Sequence, residues 1–538
     1  MFQQDLTPVG DSLALSALCG ALPLIALFLL LGGLRMKAWQ AGLISLAVAL
    51  VVGVVLFGMP VGQALLAGTE GAAFGFFPIM WIVVNAIWVY NLTVASGHFE
   101  VLKRSFGSIS DDQRVQAVII AFCFGALLEA LAGFGTPVAI TVVMLMAVGF
   151  KPIKSAAVAL IANTAPVAFG AMAAPIAGLE KTSGIGSDTL GAMVGRQTPV
   201  LAVVVPLILV VVVDGRRGLK QTWPVALICG VAFGATQFVA ANYISVQLAD
   251  IVASLVATAF VVGLLRVWQP SEALVAAAPE GETATEAPRD SRSHVVKAYA
   301  PYLVIIVIFA VTNVTAVKAA LAEKPWTLSF GWPGLNVANP DGTPSGFMTF
   351  GFGWLPAAGT LLIVAGVITA LILKVSPAAA VRAYGRTYVE LRSAIATVMA
   401  VLGLAYVMNL SGQTGSLGAL LAATGAAFAI LSPILGWIGV AVTGSDTSSN
   451  TLFGALQVKA ATGAGLNTTL MAAANSSGGV LGKMISPQNL AIAAAAVGMA
   501  GREGDIFRKV IGWSVVMVIF MCVLVGLQST PVLGWMVL

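Results

Sequence analysis

TGSDTSSNT, Thr443 to Thr451, places six hydroxyl side chains, an aspartate and an asparagine in nine residues. On either side the chain is almost pure hydrocarbon, ILSPILGWIGVAV before it and LFGAL after it. A polar run in such a setting reads as a break in a membrane helix. Backbone groups without helical partners are too costly to face lipid, so such a break survives only where protein or a water-filled cavity surrounds it.

The composition supports a bilayer setting. Of 538 residues, 59% are hydrophobic and 9% charged, against roughly 25% charged in soluble domains. Apolar windows recur at Ser12–Leu34, Ala38–Phe57, Ala72–Leu92, Val200–Val213, Pro224–Ala240, Ser245–Leu265, Tyr299–Val317, Gly353–Leu373 and Val510–Leu524. With the interrupted segments, the expectation is an all-α polytopic membrane protein of about 12 to 14 transmembrane helices. The first window is too long for a signal-peptide core and lacks a basic start, so it reads as a retained span. Cys19, Cys123, Cys229 and Cys522 are scattered in apolar segments and read as small hydrophobes. Two histidines leave no basis for a His-built metal site, and no metal or cofactor is expected. The net charge of +5 needs no nucleic acid to explain it; such an excess belongs in cytoplasmic loops.

Sorting those loops gives an orientation. With the N-terminus outside, Arg35, Lys103, Arg104, Arg114, Lys151, Lys154, Arg216, Arg217, Arg266, Arg382, Arg502 and Arg508 all fall inside. Lys181, Arg196, Lys318, Lys324 and Lys459 fall outside. The split predicts both termini outside, in a bacterial inner membrane. Residues 268–298 are rich in Pro, Glu, Ala and Thr and read as a cytoplasmic linker between a first half, 1–267, and a second, 299–538. Residues 325–352, with Trp, Phe, Gly and Pro, read as an outer cap.

The halves share a signature. NTAPVAFGAMAAP from Asn163 and NSSGGVLGKMISP from Asn475 match at Asn, Gly, Met and Pro with identical spacing. Upstream of each lies a further interruption, GFGTP (Gly133–Pro137) and GSDTS (Gly444–Ser448). The broken-helix units, 115–176 and 415–499, are entered from opposite sides of the membrane, which makes the halves inverted repeats. Interrupted segments at corresponding places mark a transporter's binding site, because half-helix N-termini attract anions.

Candidate residues follow from depth and chemistry. Asp446 is a carboxylate at membrane depth, a site for a proton or cation, although it also suits a helix cap. Glu129 fits a proton carrier or a structural partner for a buried base. Lys483 could pair with either acid, meet a substrate carboxylate, or snorkel to the interface. Asn163, Thr164, Asn475, Ser476 and Ser477 lie beside the breaks, to touch substrate or to satisfy broken backbone. Ser445, Thr447 and Ser448 supply donors at one tip, Gly135 and Thr136 at the other.

GFGTPVAIT (133–141), TGSDTSSNTLF (443–453) and GGVLGKMISPQNLAIA (478–493) resemble signatures of the lactate permease family. The resemblance implies a secondary active transporter that imports L-lactate, D-lactate or glycolate with protons. It also implies an ion-transporter-superfamily-like fold with re-entrant hairpins and alternating access around the tips. The implied partners are a small monocarboxylate, protons and the lipid bilayer, with no nucleic acid, and a homo-oligomer is left open. The runner-up is a sodium-coupled transporter of another small organic acid, with Asn-Thr breaks as oxygen ligands. No HExxH motif or selectivity-filter repeat supports an enzyme or a channel.

Overall fold

The computed structural model describes residues 1–133, 135–275 and 290–538. Phe134 of the GFGTP tip and residues 276–289, the larger part of the expected linker 268–298, lie outside the described residues. Among the described residues, ten helices are long and apolar enough to cross a membrane, or up to eleven with the bent pair Pro152–Ala162 and Val167–Ser183, which turns by 64°. One of the ten, Ser187–Ile244, is 58 residues long. At about 1.5 Å per residue it would far exceed a hydrocarbon core near 30 Å. It breaks at Asp214 and Gly215, where φ reaches +59°, and so makes the two crossings expected from Val200–Val213 and Pro224–Ala240. Two shorter apolar helices, Thr136–Ala147 and Ala358–Ile372, complete the all-α polytopic set.

The Ala72–Leu92 window is one departure from the sequence reading. A helix over Val61–Phe74 ends in a wide turn, Phe77 is extended, and a second helix begins at Trp81. Pro78 has no N–H to donate and pushes the preceding residue out of helical backbone. The cap is another. β1 (Phe2–Gln3), β2 (Thr327–Gly331), β3 (Val337–Ala338) and β4 (Thr349–Gly353) form two small ribbons. β1 runs parallel to β3, with Phe2 opposite Val337, and β2 runs antiparallel to β4. The strands are too short for alternation to show in sequence. Their pairing puts the N-terminus and the cap on one face.

Charged groups of each expected set meet their own kind. Arg104 binds Asp290 at 2.8 Å, and Arg114 binds Asp112 at 2.6 Å and Asp214 at 3.1 Å. On the other set, Lys181 donates to the Thr349 carbonyl at 2.7 Å, Arg196 to that of Met536 at 3.1 Å, and Lys318 pairs with Asp188.

The surface is apolar, unlike that of a water-soluble protein. Leu18, Val51, Val516, Ile519 and Val523 are exposed, as a lipid-facing belt requires. Among the described residues two large apolar cores form, beside a small cluster of Trp88, Leu92 and Ala370. One gathers the wholly buried span Gln113–Ala132 with Thr198–Val239 and Ala249–Leu265; the other gathers Leu13–Phe28, Ala38–Val55, Val61–Phe74 and Pro377–Ser411. Helix Gly170–Ser183 lies between them, with Ala171 and Ala174 in the second core and Met172, Ile176 and Leu179 in the first.

Helix pairs approach closely through small residues. A Cβ on Gly436 would overlap the Asn475 carbonyl, one on Gly478 the Pro433 carbonyl, and one on Gly482 the Trp437 carbonyl. Without a hydrophobic drive between helices in lipid, such backbone contact supplies the attraction. Gly436→Ala is expected to destabilise the fold by about 1–3 kcal/mol, read as a lowered apparent melting temperature in detergent. Gly512→Ala, whose added methyl meets open space, is the control and should melt as the parent does.

Candidate functional site

Two hairpins and two broken spans converge. The first hairpin descends through Gln113–Ala132, ends that helix at Gly133, and returns from Gly135 as Thr136–Ala147. Gly135 has φ +88°, and a Cβ there would collide with Ile492, so the position needs glycine. The second hairpin descends through Phe428–Thr443, turns at Gly444 with φ +75°, and returns as Asp446–Ala464. Ser445 takes the N-cap, its hydroxyl accepting the Ser448 N–H at 3.3 Å. Asp446 is therefore free of the capping role and opens the helix.

The broken spans run beside the tips. The first breaks after Ala162 and resumes at Gly170. There Ala171, Met172 and Ala173 take φ of 43°, 56° and 60°, one left-handed turn made without glycine. Such backbone costs about 1–2 kcal/mol per residue and is retained where a site requires it. The second runs through Thr468–Gly479, breaks, and resumes at Pro487–Ala496. Asn489 on the resumed helix donates to the Gly444 carbonyl at 3.3 Å, and its side-chain oxygen lies 3.4 Å from the place a Gly135 Cβ would occupy. One helix thus touches both hairpin tips.

Two carboxylates face the space between, in different company. The Lys483 ammonium donates to Glu129 Oε1 at 2.6 Å, and the Asn163 amide donates to Oε2 at 3.0 Å. Both members of this ion pair are buried, so Lys483 does not snorkel. A Cβ on Gly170 would lie 2.7 Å from Glu129 Oε1. Asp446 has no cation in contact. Its Oδ2 accepts from the Ser476 hydroxyl at 2.6 Å and the Asn450 amide at 3.3 Å, and Oδ1 has no partner. Gly479 makes room for that oxygen, since a Cβ there would stand 2.5 Å from it.

An amide chain ties these pieces together. Asn450 donates to the Pro175 carbonyl at 3.1 Å and accepts from Asn475 at 2.9 Å, while Gln457 donates to Asn475 at 3.0 Å. The space between them, a small half-open cavity of about 30 Å³, is lined by Glu129, Gly133, Gly170, Ala171, Pro175, Ser445, Asp446, Thr447 and Lys483 among others. Of the expected residues, Glu129, Ser445, Asp446, Thr447 and Lys483 reach it directly. Asn163, Asn475 and Ser476 brace its walls. Thr164 spends its hydroxyl on the Ile161 carbonyl at 2.7 Å, and Ser477 is buried with its oxygen unpartnered. Ser448 contributes its backbone N–H, while Gly135 and Thr136 form the first tip away from the lining residues. The sequence reading gives Gly170 and Pro175 only as matched repeat positions and Asn450 only as part of an Asn-Thr break for a sodium ion, and it misses Asn489, which stands in the quoted motif 478–493. Among the described residues, no three His, Cys, Asp or Glu side chains gather as metal ligands. The arrangement offers one ammonium, several hydroxyl and N–H donors at a helix start, and an acid with no cation beside it: a chamber suited to a small anion and a proton.

A family model described as L-lactate permease matches residues 16–532. The chain is 40% identical over 560 aligned positions to the L-lactate permease of Bacillus subtilis, covering 99% of both chains. It is 40% identical to the glycolate permease GlcA of Escherichia coli, covering 98% of both, and 39% identical to that bacterium's L-lactate permease, covering 100% of both.

Lys483→Met would strand the Glu129 charge in the interior. A loss of about 3–5 kcal/mol is expected, seen as a sharply lower melting temperature. Glu129→Gln combined with Lys483→Met should recover most of it, because no unpaired charge remains.

Proposed function

Since the chain belongs to the L-lactate permease family, we propose that it imports lactate, and glycolate as a close analogue, across the bacterial inner membrane by proton symport. The observation that carries the proposal is Asp446: a buried acid at a helix N-terminus, with no cation in contact, lining the same chamber as Lys483.

A 2-hydroxy monocarboxylate needs donors for its carboxylate, a partner for its hydroxyl and an apolar wall for its carbon chain. Lys483 and the N–H groups opening Asp446–Ala464 supply the first, Ser445 and Thr447 the second, Ala171 and Val167 the third. Asp446 and the substrate anion compete for one positive potential, and two negative charges in so small a cavity repel strongly. Substrate therefore binds with Asp446 protonated, and the two travel together. This division leaves Glu129 as the ionised partner that holds Lys483 when the chamber is empty. Proton and anion together move no net charge, which removes an opposing term of about 2.3 kcal/mol per 100 mV. Access alternates as the tips are exposed to each side in turn, with the capped face and both termini outside, as the distribution of basic residues favours.

Proteoliposomes with a trapped pH dye, held at zero membrane potential, test this. Adding external L-lactate should acidify the lumen, with or without sodium, as labelled lactate enters. Asp446→Asn should keep lactate exchange but lower net uptake by about tenfold or more. Uptake that needs sodium and leaves pH unchanged would overturn proton coupling in favour of a sodium-coupled carrier.

A further inference from the structure

A second buried acid lies outside the chamber. Glu70, on helix Val61–Phe74, is fully buried, and both its carboxylate oxygens lack a hydrogen-bond partner. Tyr406, on helix Pro377–Ser411, is also fully buried, with its hydroxyl unpartnered. The Tyr406 ring stacks on Phe74 at 6.5 Å. Over these rings hangs Lys181, its ammonium 5.5 Å from the Phe74 centroid and 5.8 Å from that of Tyr406. Lys181 donates to the Thr349 carbonyl of the cap. Unsatisfied polar groups clustered in an interior call for a specific explanation.

Their position supplies one. Glu70, Phe74 and Tyr406 belong to the helices of the second core, whereas Lys181 ends the broken-span helix that lies between the cores. That helix turns a smooth face, Ala171, Ala174 and Ala177, to the second core. At its outer end the Thr182 hydroxyl donates to the Asn450 carbonyl at 3.1 Å, while the hold on the cap is one flexible ammonium on a carbonyl. An ammonium swings on a four-carbon stem, and the strongest acceptor within its electrostatic reach is Glu70; Glu180, beside it in sequence, is the other acid near Lys181.

We propose that Glu70 and Lys181 form a proton-dependent latch between the two cores. In the conformation described, Glu70 is neutral and Lys181 is held by the cap. As the broken span moves, Lys181 leaves the Thr349 carbonyl and pairs with Glu70, whose proton passes to water on the cap face. An ionised carboxylate with no partner would be far costlier here than the neutral acid, and pairing removes that penalty. The latch rests on the transporter reading above but is separate from the Asp446 site.

The test is a double-mutant cycle in proteoliposomes, run in lactate exchange and in net uptake across a range of external pH. Glu70→Gln and Lys181→Gln should each slow both modes by about tenfold, and the double variant should return to within about threefold of the parent with a flattened pH profile. Asp446→Asn, by contrast, slows net uptake alone. Parental rates and pH profile in Glu70→Gln, or purely additive losses in the double variant, would overturn the latch. If Glu70→Gln does not fold, Glu70→Asp serves: it keeps an acid and should keep the pH profile, and loss of the profile there overturns the proposal. Absence of lumenal acidification in the parent would sink the symport reading alone, since the exchange cycle still reports on the latch.

Discussion

Four interruptions of helical backbone, beside Gly133 and Gly135, at Asn163–Phe169, at Gly444–Ser445 and at Val480–Ser486, impose the constraint on which the rest depends. Each exposes N–H and C=O groups that lipid cannot satisfy. The surrounding helices answer by enclosure. Gln113–Ala132 is wholly buried, whereas Leu13–Gly33 and Arg292–Thr312 present most of their surface outward. The fold is thus arranged by distance from the breaks: polar and broken at the centre, small-residue contacts around it, and a lipid-facing belt outside.

The enclosure uses two kinds of adhesion. Glycine seams such as Gly436 against Asn475 bring backbones together. Amide and hydroxyl links such as Asn475–Asn450–Pro175 fix their register. Dispersion alone would let neighbouring helices slide, and buried hydrogen bonds alone would leave gaps; together they specify one arrangement. The two acids show what that arrangement can do with similar chemistry. Glu129 meets a cation and an amide, Asp446 only neutral donors; in the mechanism proposed above the first is a fixed counter-ion and the second an exchangeable proton site.

Much of this was legible in the chain because membrane physics is severe. A run such as TGSDTSSNT amid hydrocarbon has few tolerable structures, and the matched Asn–Gly–Met–Pro spacing located its counterpart. Asp446, Glu129 and Lys483 stood out as charges at depth, and the structure brings all three to one cavity. Which acid Lys483 chooses was not legible, since pairing depends on how four breaks converge across more than 350 residues. The left-handed turn at Ala171–Ala173 gave no signal, because alanine is the residue least expected there. The cap strands were hidden by brevity, and Glu70 was passed over just ahead of the window Ala72–Leu92, which reads as one continuous span.

Asn489 and Ile492 have a mechanical implication. They sit on one short helix yet abut both hairpin tips, Asn489 on the Gly444 carbonyl and Ile492 against Gly135. That helix is a shared strut, and a rigid displacement of it carries both jaws along. In the alternating access proposed above, a site built this way would travel as a unit, like a tray on a single bracket, its two lips having little freedom to part independently.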